Sequence, residues 1–457
     1  MQGLAVVEGS RKEVSGPISV GADVPPMPAG LLRAVETLWN WSVQAARGVP
    51  EGGMAAFEKE FRERVLKIGA RFMEEAIPVG LGTGYIGSVV GCASCGGKSR
   101  FVNNRPKLMT TLTSDVRLRR AYYHCAACGN GRAPLDETLS VSGTSFSPAV
   151  RELTCLADAE VSFGRGSALL ERMSAIRLHK EEGRRIAEEL GRELERQAVE
   201  EVENAWKPRK PSPRENPETA RRLYVSPDGT TVPTVDGWKE VKVGAVFTAT
   251  VPRAGEDPER ERTRYAGLLG AAEPFYRRLS IEMQKMGLAE DTEVIVIGDG
   301  AHWIWNEADL NLPKDRVEII DFYHAAEKLW EVSRAVFGEE SPEGKRWAQK
   351  WSRKLKKGDG GRAIAAMGRL KPKSSEGRKV VSETIGYFKS NRHRMRYREF
   401  RRRGLFIGSG VVEGSCKHLV GDRLKHGGMH WTEEGAQAIL NLRLAVLNQR
   451  WDYLWLN

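Results

Sequence analysis

Long apolar segments are absent from this sequence of 457 residues. The longest apolar run is about the length of EVIVIG, whereas a membrane-spanning helix needs roughly 18 consecutive apolar residues. The first residues, MQGLAVVEGSRKE, also lack the apolar core of a secretory signal peptide. We therefore expect a cytoplasmic protein with no membrane partner.

Cysteine is scarce, because six cysteines in a chain of this length are too few for a disulfide scaffold. Four of them form two C-x2-C pairs, each followed by glycine, in the pattern C-x2-C-x29-C-x2-C. Such a turn points two thiolates at one ion, and two turns complete a tetrahedral zinc shell. The sequence therefore predicts structural Zn²⁺, rather than unrelated buried thiols, at Cys92, Cys95, Cys125 and Cys128. The isolated Cys155 and Cys416 are predicted to be small buried side chains.

The composition is that of a soluble globular protein, with 40% hydrophobic and 29% charged residues. We expect a helical N-terminal region over 1–85, a zinc ribbon over 86–140, and a linker rich in proline and charge over 207–222. Residues 146–206 show three helical segments, with a glycine-containing turn, VSFGRG, before the second. This pattern predicts a helix-turn-helix that binds DNA or, as an alternative, a plain helical bundle between two domains.

Strands and helices alternate over residues 223–330, which predicts an α/β layer fold. The stretch LYVSPDGT is predicted to be a strand ending at Asp228, EVIVIGDG a strand ending at Asp299, and RVEIIDF a strand ending at Asp321. In such sheets the chemistry gathers at strand ends. A lone aspartate in this position can instead cap the next helix, and that alternative stays open for Asp299 and Asp321.

A third acid lies near the C-terminus, where the turn Gly408–Gly410 opens a helix that carries Glu413. Cations surround this acid along the helix: Lys417, His418, Arg423, Lys425 and His426. Metal-dependent phosphoryl transfer needs this combination, since acids hold two divalent ions about 4 Å apart and cations hold the nucleic-acid backbone.

Four blocks of the sequence carry a family resemblance. They are SPDGTTVPTVDGWKEVKVGAVF, VIGDGAHWIWNEADLNLP, IIDFYHAAEKLW and RRGLFIGSGVVEGSCKHLVGDRLKHGGMHW. In this order they resemble the transposases of bacterial insertion sequences of the ISKra type, relatives of the Mutator-like DDE transposases. The resemblance runs from about residue 224 to the end. It implies an RNase H-like catalytic core interrupted by an all-helical insertion, preceded by the zinc ribbon and the helix-turn-helix-like region.

The resemblance also implies an Asp, Asp, Glu triad that binds Mg²⁺ or Mn²⁺. The matching residues are Asp228 in DGT, Asp299 in GDG and Glu413 in GSGxxE, while Asp321 and His324 match the D-x-x-H signature of the Mutator-like relatives. Asp236 in TVDGW is the rival of Asp228. We expect Asp236 in the hairpin turn before EVKVGAVF.

The spacing of the acids along the sequence supports a helical insertion within the catalytic core. Asp228 and Asp299 are 71 residues apart, which suits the remaining strands and a helix, whereas 114 residues separate Asp299 from Glu413. A sheet and one helix cannot occupy the second interval. We therefore predict a helical insertion over 331–403, followed by the last part of the core over 404–457.

Positive charge concentrates in two segments of a chain whose net charge is +11. Residues 331–403 hold 22 Lys and Arg against 8 Asp and Glu, and residues 91–132 hold 8 against 1. In NRHRMRYREFRRR only Glu399 offsets seven arginines, so DNA contact is predicted rather than a solvated face. These arginines are Arg392, Arg394, Arg396, Arg398, Arg401, Arg402 and Arg403. We expect further DNA contacts from Lys417, His418, Arg423 and Lys425. Trp431 is predicted to stack on an unpaired base or to be a core side chain.

The function implied by the resemblance is cleavage of DNA at the ends of an insertion sequence, followed by transfer of the freed strand. Its partners would be double-stranded DNA and a second copy of the chain, or more, on the bacterial nucleoid. Two alternatives stay open. One is a domesticated DNA-binding protein without transposition, and the other is an RNase H-like nuclease or resolvase.

Overall fold

The structure is a computed structural model that describes residues 25–49, 53–206, 219–250, 258–408 and 410–455, without the side chains of 411–413. The chain divides into two compact units, Met1–Val150 and Arg151–Asn457. The finer boundaries expected from the sequence stay predictions. Across the described ranges, no helix combines the length and apolar character needed to cross a membrane.

The first unit joins helices to an antiparallel sheet of order β1-β2-β3-β4. Its elements are α1 (Ala29–Arg47), α2 (Met54–Leu81), β1 (Val89–Gly91), β2 (Lys98–Thr110), β3 (Asp115–Cys125), β4 (Gly131–Arg132) and α3 (Pro134–Thr138). Trp41 of α1 stacks on Phe57 of α2, with ring centroids 5.8 Å apart. Val116 and Leu118 of β3 are buried between exposed neighbours, and α2 packs on this strand. The 29 residues between the cysteine pairs therefore form a hairpin.

Three helices open the second unit: α4 (Pro148–Glu160), α5 (Phe163–Ser174) and α6 (Lys180–Trp206). The predicted glycine turn is wrong, because Gly164 and Gly166 lie inside α5. Nor does α6 suit a recognition helix, since it carries nine glutamates against five Lys and Arg and DNA repels such a surface. Gly191 of α6 lies so close to the carbonyl of Ala438 that a Cβ would be 2.4 Å away. The charge and the close packing of α6 favour the alternative, a plain helical bundle.

The sheet of the second unit has the order β7-β6-β5-β8-β9. Its strands are β5 (Arg222–Thr234), β6 (Gly237–Ala249), β7 (Arg260–Leu269), β8 (Glu293–Gly298) and β9 (Val317–Ile320). Strands β5, β6 and β7 form an antiparallel meander, whereas β8 runs parallel to β5 and β9 parallel to β8. The strand expected to end at Asp228 continues to Thr234, so that prediction is wrong. Asp236 lies exposed in the hairpin turn between β5 and β6, as predicted.

Helices cover the sheet and form the excursion between β9 and the C-terminal segment. They are α7 (Ala272–Lys285), α8 (His302–Asn311), α9 (Phe322–Phe337), α10 (Pro342–Lys356), α11 (Gly360–Met367), α12 (Ser375–Ser390) and α13 (Tyr397–Arg402). A 3-10 turn, Arg392–Arg394, connects α12 to α13. Leu355, Met367 and Phe388 of the excursion belong to the same hydrophobic core as the strands. The excursion is therefore packed into the unit.

The C-terminal segment contains an unusual helix. An α-helix, α14 (Gly410–Ser415), continues as a π-helix (Cys416–Gly421) and ends in α15 (Asp422–Leu424), before α16 (Glu433–Leu447). Buried Arg443 of α16 donates from Nε to the carbonyl of Leu419 at 2.9 Å and from Nη2 to that of His418. It also donates to the carbonyl of Ala159 on α4, at 2.6 Å. The side chain of Arg443 thus links the π-helix to α4 and α16. It satisfies carbonyl groups of the π-helix, in which the i→i−4 hydrogen bonds of an α-helix are not formed.

Arg423 and Trp431 are structural residues, so the predicted DNA contacts of both are wrong. Arg423 has no exposed surface, and its guanidinium lies 4.8 Å from the ring centroid of Phe163 and 5.0 Å from that of Trp431. Its Nε donates to the carbonyl of Asp158 at 2.7 Å. The indole of Trp431 donates to the carbonyl of Leu424 at 3.1 Å. Neither side chain is accessible to DNA, and Trp431 is the core tryptophan of the alternative.

Asp158 is a buried carboxyl group without a hydrogen-bond partner among the described residues. Its side chain lies against glycines, since a Cβ on Gly166 would be 2.2 Å from Oδ1. Burial raises the pKa of Asp158 from 3.8 to about 7, although the positive charge of Arg423 acts in the opposite direction. The folded chain therefore binds a proton here that the unfolded chain has lost near neutral pH.

We predict that stability falls with rising pH through this group. Because the pKa of Asp158 is higher in the folded state, its protonation favours folding below about pH 7 and ceases to do so above it. Relative to Asp158→Asn, the wild type should lose about 2 kcal/mol of unfolding free energy between pH 5 and pH 8. Urea unfolding at three pH values measures this difference. A difference that stays constant with pH would contradict the assignment.

Candidate active site

The strand register brings three aspartates to neighbouring positions in the sheet of the second unit. In the parallel pair β5 and β8, Val225 is opposite Val296, so the register extended by three places sets Asp228 beside Asp299. In the pair β8 and β9, Gly298 is opposite Ile320, so Asp321 comes beside Asp299. The backbone N–H of Asp321 donates to the carbonyl of Gly298 at 2.8 Å. Three acids thus follow one another across neighbouring parallel strands.

Asp228 is half-buried within β5. Its Oδ1 accepts from the N–H of Gly229 at 2.7 Å, and its Oδ2 accepts from the thiol of Cys416 at 3.4 Å. Burial raises the pKa of Asp228, and the negative charge of Asp299 adds to this rise. The N–H of Gly229, the thiol of Cys416 and the charge of His324 lower the pKa. Asp228 thus lies within electrostatic range of both Asp299 and His324.

Asp299 and Asp321 differ in what their carboxylates do. Oδ1 of Asp299 accepts from the N–H of Ala301 at 2.8 Å, in the turn that leads into α8. The N-cap of α8 is Ala301 rather than Asp299, so the capping alternative does not describe Asp299. Asp321 is the N-cap of α9, and its Oδ1 accepts from the N–H groups of Tyr323 and His324 at 2.6 and 3.2 Å. The capping alternative therefore describes Asp321.

Glu413 belongs to α14, and its side chain is outside the described part of the structure. Helix α14 packs against β5 and β6. Cys416, one helical turn after Glu413, contacts Asp228. The helix that carries the third predicted acid is therefore docked on the strand that carries the first.

The cations predicted around Glu413 have different surroundings. Lys425 is exposed and donates to Oγ1 of Thr230, two residues beyond Asp228 on β5. His418 is exposed and pairs with Asp422, with Nδ1 and Oδ2 2.8 Å apart. Lys417 is exposed. Unlike Arg423, these three side chains are accessible to a ligand.

The seven arginines before the C-terminal segment divide into two groups. Arg394 pairs with Glu318 at 2.6 Å and lies over the ring of Trp305, and Arg403 pairs with Glu293. These two arginines stabilise the protein itself, which weakens their predicted DNA contact. Exposed members of the run are Arg392, Arg396, Arg398, Arg401 and Arg402. Among them Arg396 pairs with Glu399, with Nη1 and Oε2 3.1 Å apart.

Four cysteines of the first unit form a single cluster, with all four sulfur atoms within 4.8 Å of one another. Cys92 and Cys128 are 3.7 Å apart at sulfur, as are Cys95 and Cys125. Each pair is built on the same turn: the N–H of Gly96 donates to the carbonyl of Cys92, and the N–H of Gly129 to that of Cys125, both at 2.9 Å. Both glycines have positive φ, 71° and 74°, which explains the glycine after each pair. The cluster can hold a metal such as zinc.

The thiol pKa values fit this arrangement. Backbone N–H groups of Ser94 and Cys95 lower the pKa of Cys92 to about 6, and that of Cys128 lowers the pKa of Cys125. The pKa of Cys128 rises to about 12, although the N–H of Asn130 favours its thiolate, because the neighbouring cysteines disfavour another negative charge. Deprotonation of all four thiols at this distance would therefore require a cation between them.

Two residues near the acids were not predicted from the sequence to lie there. Cys416 was expected to be a small buried side chain, yet it contacts Asp228. Its position three residues after Glu413 on a helix was the available signal. Tyr387 of α12 packs against Gly300, directly after Asp299. No sequence pattern pointed to Tyr387, because its approach depends on how the excursion folds back.

Comparisons with known proteins place this chain in a family without assigning an activity. Among curated proteins, none matches it. The solved structure entitled "Crystal structure of NurA bound to dAMP and manganese" aligns with 59% of this chain and 61% of its own, at 14% identity and a TM-score of 0.10. This chain thus spans about three fifths of that chain's length, and a likeness at this score carries no argument. Residues 95–451 match the uncharacterised protein family UPF0236. Because this match spans most of the sequence, the protein belongs to the uncharacterised protein family UPF0236.

Proposed function

We propose that this protein is a DDE transposase that cleaves and joins DNA with divalent metal ions. The observation that supports this most is the row of acids formed by Asp228 within β5 and Asp299 after β8, with the Glu413 helix docked beside it. The strand order, with an antiparallel meander followed by two parallel strands, agrees with an RNase H-like core. The helical excursion before Glu413 agrees with the insertion of the ISKra-type transposases.

The acids suit divalent cations. In the described part of the chain, neither Asp228 nor Asp299 pairs with a lysine or arginine, and burial together with the negative charge of Asp299 raises the pKa of Asp228. Carboxylate oxygens are the ligands that Mg²⁺ prefers. Asp228, Asp299 and Glu413 would hold two Mg²⁺ or Mn²⁺ ions. When bound, such a pair activates the attacking oxygen and offsets charge on the leaving oxygen.

The chain's own residues would position the DNA for two successive reactions. Water first attacks the phosphodiester at the end of the element, and the 3′-oxygen leaves as a hydroxyl. That 3′-hydroxyl then attacks a target phosphodiester in the same site, which joins the two strands while the 3′-oxygen of the target leaves as a hydroxyl. His324, within electrostatic range of Asp228, would contact the scissile phosphate. Lys417 and Lys425 would hold the backbone beside the cut, and the partners would be element ends, target DNA and a second copy of the chain.

The acids provide the first test of this function. Asp228→Asn, Asp299→Asn and Glu413→Gln should each lower Mg²⁺-dependent cleavage of the element's ends at least ~100-fold, because each removes a metal ligand. Binding to the ends should persist. Asp236→Asn is the matched control, since Asp236 lies exposed in the nearby hairpin turn. Cleavage at the wild-type rate by any of the three variants would reject the triad. Cleavage without strand transfer would favour the nuclease or resolvase alternative.

The exposed arginines provide the second test. Arg398, Arg401 and Arg402 form no ion pair with a described residue. If each contacts a phosphate, their joint replacement by alanine should reduce the slope of log K against log salt by about 2 to 3. Fluorescence anisotropy at several salt concentrations measures this slope. The control is the joint replacement of Arg184, Arg192 and Arg196 by alanine, because these exposed arginines already pair with glutamates on α6. An equal slope in both triple variants would exclude the predicted contact.

We also propose that the cysteine cluster is the Zn²⁺ site of a zinc ribbon. Purified protein should contain one Zn²⁺ per chain, and Cys125→Ser should lose it together with several kcal/mol of stability in the first unit, since structural zinc contributes directly to folding. Elemental analysis and thermal unfolding measure both effects. Cys155→Ala is the control, because Cys155 is fully buried outside the cluster. Full zinc content in Cys125→Ser would disprove the assignment.

A further inference from the structure

Tyr387 brings the helical excursion to the row of acids. Its ring lies against Gly300, where a Cβ would be 2.0 Å from Cε2 and 3.0 Å from Cζ. The side of the ring formed by Cδ2 and Cε2, next to the carbon that carries the hydroxyl, is therefore the part that meets the backbone after Asp299. Any side chain at residue 300 would displace the ring. Glycine in GDG is thus explained by the close approach of a tyrosine from α12.

The hydroxyl of Tyr387 is buried and has no hydrogen-bond partner in the described part of the chain. Burial raises the pKa of Tyr387, and the negative charges of Asp299, Asp321 and Glu331 raise it further. The group therefore keeps its proton and faces a negative region as a donor. A buried donor without an acceptor is unfavourable, and phenylalanine would fill the same space without this penalty.

Tyr397, from α13 of the same excursion, has a different environment. It is fully buried, and its hydroxyl donates to the carbonyl of Ile320 at the end of β9, at 3.1 Å. The hydroxyl of Tyr397 is thus satisfied within the protein. The two tyrosines form a natural pair, in which one hydroxyl has a structural partner and the other does not.

We propose that Tyr387 is a substrate-contacting residue, whose hydroxyl donates to a non-bridging oxygen of the DNA phosphodiester held at Asp228 and Asp299. The proposal rests on the proposed function. A phosphate oxygen supplies the acceptor that the described residues lack at this point, and it carries the negative charge that a donor stabilises in phosphoryl transfer. The excursion then has a direct role in the reaction, in addition to its basic surface.

The test compares Tyr387→Phe with Tyr397→Phe, wild type and Asp299→Asn. Single-turnover cleavage of a duplex carrying the element's end should fall about 10- to 100-fold in Tyr387→Phe. The melting temperature of Tyr387→Phe should stay the same or rise, because an unpaired buried hydroxyl is removed. Tyr397→Phe should show the opposite pattern, with a melting temperature lower by about 2 °C and a cleavage rate near that of wild type.

A second readout separates phosphate contact from damage to the metal site. The shift in melting temperature caused by Mn²⁺ should be equal in wild type and Tyr387→Phe, and absent in Asp299→Asn. Cleavage by Tyr387→Phe within twofold of wild type would overturn the inference. So would loss of the Mn²⁺ shift together with the rate, since the hydroxyl would then shape the metal site. A wild type without cleavage sensitive to Asp299→Asn would instead overturn the proposed function, and this inference with it.

Discussion

The second unit depends on a constraint that parallel strands impose, namely that residues at matching register positions of adjacent strands lie side by side. Asp228, Asp299 and Asp321 occupy neighbouring register positions, so three carboxyl groups meet there. The protein relieves this repulsion only in part. Asp321 is used by the first turn of α9, and Asp228 retains its proton to a higher pH than a free aspartate. The remaining negative charge of these carboxyl groups favours the binding of cations beside them.

Two buried arginines stabilise the helical segment that carries Glu413 and the π-helix. Arg443 donates to carbonyls of the π-helix and of α4, and Arg423 joins the same helical run to Asp158, Phe163 and Trp431. These hydrogen bonds fix the segment that begins with α14 on one side. On another side α14 packs against β5. The helices α4 to α6 accordingly support the third acid's helix. Helix α6 itself packs on α16, and its Glu195 and Glu201 pair with Arg278 and Lys285 of α7.

Local patterns predicted the α/β core, the cysteine cluster, the hairpin position of Asp236 and the helical excursion, because each follows from periodicity or from short spacing. Exposure was less predictable. Arg423 and Trp431 occur in a basic motif that resembles a DNA contact, yet packing against Phe163 buries both. Among the seven clustered arginines, the partners of Arg394 and Arg403 lie on distant β9 and β8. Contacts over such sequence distances follow from the tertiary fold, which the local pattern does not contain.

The contact between Gly300 and Tyr387 also has an evolutionary consequence. One residue directly follows the acid after β8, and the other belongs to the helical excursion, far away in the sequence. Since a methyl group at residue 300 would overlap the aromatic ring, these positions are expected to covary across the family. A chimera that receives the excursion of a distant relative must therefore receive the matching residue after the second acid as well.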